Sequence, residues 1–208
     1  MPQRISTLSQ KRFDTYLIAA GHNQERALAL YVWNAQVGAS FHILIQAIEV
    51  SLRNRINHAL VAEFGSDWWR DSNFLRLIDR SRLADITTTQ KRIANQQIAI
   101  DTNQMVAGLS FGFWVGMMHR RYNPKIWSRH LNIAFPDLPP GATRQMLFDA
   151  CGSVARFRNR VSHHEPLLKV NVSQTYADMQ KLLFWLCPAT STWIKPHCEV
   201  PSIIRRKP

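Results

Sequence analysis

Arg156-Phe157-Arg158-Asn159-Arg160-Val161-Ser162-His163-His164-Glu165-Pro166 gathers three arginines, an amide, two imidazoles and a carboxylate into eleven residues. Arginine presents a planar fork of permanently charged donors that suits phosphate. Histidine, with an unperturbed pKa of about 6.5, gives and takes protons near neutral pH. These are the parts needed to cut a phosphodiester whose ribose carries its own nucleophile, the 2′-hydroxyl. A base must take that proton, an acid must protonate the leaving 5′-oxygen, and a cation must offset charge developing on phosphorus. Such chemistry needs no protein nucleophile, metal or cofactor.

Spacing decides which of these groups can cooperate. Asn159 and His163 are four residues apart and share a helix face, offset by about 40°. Arg158 and His163 are five apart, about 140° on an ideal helix, so they converge only if the arginine reaches round or the helix loosens. Pro166 supplies a reason for loosening, since it cannot continue a helix and biases Glu165 out of helical geometry. His164 is the other acid–base candidate; the i, i+4 relation to Asn159 favours His163. Arg156 and Arg160 are expected to hold the RNA backbone. A motif with one useful imidazole lacks a second proton-transfer group, and a two-fold dimer would supply it by apposing two copies.

A second Arg-Asn-x-x-x-His pattern runs through Arg53, Asn54 and His58. It reads either as a second catalytic half within one chain or as part of an amphipathic core helix. In the latter case Arg53 and Glu49 support the main motif, with Glu49 pairing to Arg53 at i+4 or to Arg158 across the bundle. The second reading is preferred, because this copy lies mid-helix with no terminating proline. His197-Cys198 with Cys187 match no zinc spacing, so no metal site is expected. Phe113-Trp114 sits at helical spacing and reads as core. Trp68-Trp69 lies in a turn and is left open between core and base stacking.

The elements that must position these groups are helical. Apolar residues recur at helical spacing through Phe13–Ala20, Ala27–Trp33, Phe41–Leu60, Leu75–Ile93, Val106–Met118, Met146–Val161 and Tyr176–Leu186. Ser9, Asn23, Thr143 and Ser173 are plausible helix starts, and Gly21 and Gly65 stops. Leu75–Gln97 reads as one polar helix with Leu83 inside, and Met146 as part of a buried stripe. No stretch alternates with period two. The expectation is an all-α bundle of five to seven helices, one domain over residues 1–195, and a loose tail over 196–208.

The net charge of +12 and pI near 10.4 over 208 residues favour an anionic partner. Three cysteines form no paired framework, which fits a reducing cytosol. No apolar leader opens the chain, and no uncharged apolar run approaches the length of about 18 residues that a membrane span needs. A cytoplasmic protein without a membrane segment is expected.

The chain resembles the Abi-like (abortive infection) branch of HEPN-domain ribonucleases. The blocks that carry the likeness are Leu8-Ser9, Ala29-Leu30-Tyr31-Val32-Trp33-Asn34, Ile48-Glu49-Val50-Ser51-Leu52-Arg53-Asn54, Leu109-Ser110-Phe111-Gly112-Phe113-Trp114 and Arg158 to Pro166, in that order. The last contains the Arg-polar-x-x-x-His form of the family's motif. The resemblance implies a helical, dimerising, metal-independent endoribonuclease acting in phage defence or as a toxin, on single-stranded RNA or tRNA. An antitoxin or partner RNA could restrain it. By the same likeness Arg158 would bind phosphate, Asn159 would orient the site and His163 would be the acid or base. The rival is a catalytically silent protein of the same fold that binds RNA or neutralises a toxin.

Overall fold

Leu44, Ile48, Leu52, Ile56 and Leu60 are buried at every fourth position, with Ile45, Ala47 and Ala59 widening the stripe. That periodicity makes a helix buried on most of its circumference. The computed structural model describes residues 9–208. In it this segment is the central element, α3 (His42–Phe64), reached through α1 (Gln10–Ala19) and α2 (Gln24–Ser40). After it come α4 (Ser72–Leu77), α5 (Arg80–Asn95), α6 (Thr102–Gly108) and α7 (Phe111–Met117). A wide turn at Asn123–Trp127 runs into α8 (Ser128–Ala134). The chain closes with α9 (Arg144–Ser162), α10 (Val172–Leu186), α11 (Pro188–Ile194) and α12 (Val200–Arg205).

The fold is all-α, with one hydrophobic core and no strand among the described residues. Six described helices reach ten residues and six shorter ones fill the corners between them, so the helix count exceeds the expected five to seven. α10, α8, α7 and α11 all pack on α3, while α9 is held between α7 and α10. Side chains of Asn23, Asp71, Asp79, Asp101, Ser110, Thr143 and Asn171 accept hydrogen bonds from first-turn amides, so seven helix starts are capped. Asn23 and Thr143 are caps foreseen in the sequence. Ser9 stands at the first start but its side chain caps nothing, and Asn171, not Ser173, caps α10. Leu8 lies outside the described residues.

Several expectations are corrected. Leu75–Gln97 is two helices, because Ile78 turns extended and Asp79 caps a new start. Leu83 and Met146 are exposed. The tail is not loose: Val200 and Ile203 are buried in α12, and Trp33 Nε1 donates to the Ile203 carbonyl at 2.9 Å. The pair left open, Trp68 and Trp69, falls to the core, their indole N–H groups bonded to Asn57 Oδ1 at 2.8 Å and Thr102 Oγ1 at 3.1 Å. Phe113 and Trp114 are also fully buried, as expected.

Gln24–Phe64 is long and apolar enough to cross a membrane by length and composition, although charged residues interrupt it. Here many of its apolar positions line the core, though Val32 and Val61 are exposed, and the run breaks at Phe41, a buried residue between α2 and α3.

Asp79 ties α5 to the neighbouring turn. Its carboxylate accepts from the Arg82 amide at 3.0 Å, pairs with Arg121 at 3.3 Å and accepts from the Tyr122 hydroxyl at 3.3 Å. The amide bond, then the nearby cations, hold its pKa below the ordinary 3.8. A carboxyl lowered on folding stabilises above its unfolded pKa and loses that contribution as pH falls through the folded value. Asp79→Ala should therefore cost about 1 kcal/mol or more at neutral pH. Urea midpoints should show the gap to wild type narrowing once the pH drops below about 4.

Candidate active site

The end of α9 is set by backbone geometry. His163 is the C-cap and His164 takes a left-handed φ of 54°. The His164 amide donates to Val161 O at 3.0 Å, and the Glu165 amide donates to Arg160 O at 2.9 Å. This is a Schellman motif, which normally places glycine at the left-handed position. Here a histidine occupies it, at a cost of about 1–2 kcal/mol. The apolar contact that usually spans the motif is replaced by an ion pair, Arg160 Nε to Glu165 Oε2 at 3.1 Å. The helix thus stops before Pro166, through the turn at His164.

Three residues of the first two helices hold that terminus. Asn34, buried in α2, accepts from the Leu167 amide at 2.6 Å and donates to the Glu165 carbonyl at 3.4 Å. Arg12 of α1 donates to the His163 carbonyl at 3.3 Å. Gly38 allows close approach: a Cβ built there would lie 3.2 Å from a Val161 methyl.

Between α2, α3 and the end of α9 lies a cleft of about 430 Å³, lined by His42, Gln46, Glu49, Arg53, Arg158 and Ser162 among others. Arg53 and Arg158 reach it from different helices. Arg53 Nε is buried there with no hydrogen-bond partner among the described residues. Glu49 forms no ion pair within 4 Å to a described residue, so the expected pairing with Arg53 or Arg158 is not made. The cleft holds an uncommitted carboxylate, two guanidiniums and an imidazole.

The remaining motif residues diverge from Arg158. Arg156, Asn159, Arg160 and Glu165 line a separate groove of about 810 Å³ between α9 and α10. Among the described residues, the side-chain hydrogen bond that links the two sides is an exposed Arg158 Nη1–Asn159 Oδ1 contact of 3.4 Å. His163 and His164 are exposed and line neither groove. His163 directly follows Ser162, which does line the cleft. No hydrogen bond joins Arg158 to either imidazole among the described residues.

The second Arg-Asn-x-x-x-His copy is divided by the helix it sits on. Arg53 enters the cleft with Arg158, whereas Asn54 and His58 line a groove against α11. Five residues along a regular helix turn through about 140°, and α3 continues past His58 without interruption.

His42 is the residue that motif reading missed. Its signal is spacing: positions 42, 46, 49 and 53 follow the i, i+4, i+7, i+11 pattern of one helix stripe, polar throughout. Ser153 is exposed, and its hydroxyl donates to the Asp149 carbonyl. Burial pushes the Cys151 thiol of α9 up to about 12, which makes it a core residue and a poor nucleophile.

A profile of the Abi-like protein family matches residues 5–169. The chain belongs to that family. The match spans the buried Asn34 clamp, the cleft and the α9 terminus of this Abi-like protein, and stops before α10. Comparison with curated proteins and with solved structures returns no match.

Removing the Asn34 amide strands the Leu167 N–H inside the fold. Asn34→Ala should cost about 1–3 kcal/mol in urea unfolding. Faster hydrogen exchange at the Leu167 amide would locate the damage at the α9 terminus.

Proposed function

We propose that this Abi-like protein is a metal-independent endoribonuclease, working in the cytoplasm in phage defence by abortive infection or as a toxin. The observation that carries the reading is the pairing of Arg53 and Arg158 in one cleft, from two helices, without carboxylate partners. Two arginines lining one cleft, Arg53 with a buried donor left unbonded and Arg158 exposed to solvent, suit a phosphodiester. Arg158 binds and polarises the phosphate and stabilises charge in the transition state. An imidazole takes the 2′-hydroxyl proton as O2′ bonds to phosphorus. A second group protonates O5′ as the P–O5′ bond breaks, leaving a 2′,3′-cyclic phosphate and a 5′-hydroxyl.

His163 is the first imidazole in this reading, and the copy in a two-fold partner supplies the second, with Asn159 orienting the site. The separation of His163 from the cleft within one chain supports a composite site. His42 favours a second arrangement, in which both proton-transfer groups come from one protomer. The two differ in a measurable way: the first requires a dimer for activity, while the second allows full turnover at the mass of one chain.

Incubation of single-stranded RNA and tRNA with purified protein in EDTA should yield 2′,3′-cyclic phosphate ends. Arg158→Ala and His163→Ala should each lower the rate about 100-fold or more, with thermal unfolding unchanged. Loss with His42→Ala but not His163→Ala would transfer the proton role to the cleft imidazole. Binding of RNA without any cleavage by wild type would instead indicate a silent RNA-binding member of the fold. Relief of the left-handed strain gives a separate check: His164→Gly should raise stability by about 1 kcal/mol. Retained cleavage in that variant would exclude His164 as the acid or base.

A further inference from the structure

The outer surface of α3 carries two stripes, not one. Beside the polar stripe of the cleft, Ile43, Ala47, Val50, Asn54 and His58 follow their own helical spacing and floor a groove of about 690 Å³. Trp193 and Ile194 of α11 and the following His197 form its far wall. Gln46 and Val50 line both the groove and the arginine cleft, so the two spaces adjoin along α3. Trp193 is 68% exposed, while five of the other six tryptophans are nearly fully buried and Trp185 is 9% exposed. α11 lies beyond the residues shared with the family profile.

We propose that this groove is a nucleobase subsite, and that a base next to the scissile phosphate stacks on Trp193. The proposal rests on the ribonuclease reading and extends it to substrate choice. Three features select a base over another occupant. An exposed indole offers the flat apolar face on which bases stack. Asn54, His58 and His197 supply donors and acceptors around that apolar floor, as base edges require. The adjoining Arg53 and Arg158 place the anionic backbone at one end, and the +12 net charge suits a polyanion. The groove therefore fits single-stranded RNA, whose bases are free to splay out, better than a duplex.

The test uses a 2′-O-methylated RNA 12-mer, which cannot be cut by 2′-oxygen attack, and an abasic strand of equal length and charge. Fluorescence anisotropy should show Trp193→Ala binding the RNA about ten-fold or more weakly, with Trp193→Phe largely restoring affinity. Wild type should bind the abasic strand about as weakly as Trp193→Ala binds RNA, and Trp193→Ala should not distinguish the two strands. Equal affinity of Trp193→Ala and wild type for RNA would overturn the subsite. If Arg158→Ala still lost affinity in that case, the ribonuclease reading would stand without it. Failure of wild type to bind either strand would overturn both. If Trp193→Ala instead converted a dimer to single chains in sedimentation, the groove would be a contact between copies and the subsite would be lost.

Discussion

A hydrogen bond of 2.6 Å between the Leu167 amide and Asn34 Oδ1 holds the end of α9 and the turn after it in place. α9 cannot run past Ser162 without losing the turn at His164, and that turn is not favourable by itself, since histidine replaces the usual glycine. Strain of this size persists only where the surroundings over-determine the backbone. Asn34 grips the chain at two points beyond the turn, Arg12 holds the His163 carbonyl, and Gly38 admits Val161. The exposed imidazoles therefore project from a backbone fixed by buried contacts.

The same constraint shapes the electrostatics. Arg160 is committed to Glu165 as part of the turn, and Arg55 ties α3 to Asp137 and to the end of α10 through the Leu186 carbonyl. Arg53 and Arg158 are left in the cleft without ion-pair partners among the described residues. The arginines tied into ion pairs and the two that line the cleft thus leave α3 and α9 on different faces. Glu49 moderates the field of the cleft without cancelling either arginine through direct contact.

Much of this was legible in the sequence because helical periodicity is strong. The apolar spacing of α3, α9 and α10, the stops at Gly21 and Gly65 and the caps at Asn23 and Thr143 all followed from local chemistry. The misses have a common cause: they depend on partners distant in the chain. Nothing near Ile203 announces that Trp33 will bond its carbonyl, and nothing near Trp68 announces Asn57. Asn34 stood inside a family-like block, yet its role is defined by Leu167, 133 residues away. The break at Asp79 was missed for a different reason. Aspartate with a polar helix on both sides reads as solvent face until its cap bond to Arg82 is seen. His42 was overlooked because a motif search ranks residues by neighbours in sequence, whereas its companions lie along a helix stripe.

Helix geometry also explains why similar patterns serve different ends. Arg53-to-His58 and Arg158-to-His163 have equal spacing, but α3 continues and α9 stops. On the continuing helix the arginine and the histidine are sent to different grooves. On the helix that stops, His163 makes the last helical bond, its amide to the Asn159 carbonyl at 2.9 Å, and its side chain stands exposed at the C-cap. In the proposed reading the split on α3 serves both halves of a substrate, because one stripe lines the arginine cleft while the next presents apolar floor and amide. A chain of alternating phosphates and bases has the same two-part character, and Gln46 and Val50, shared by both spaces, lie where the two would join.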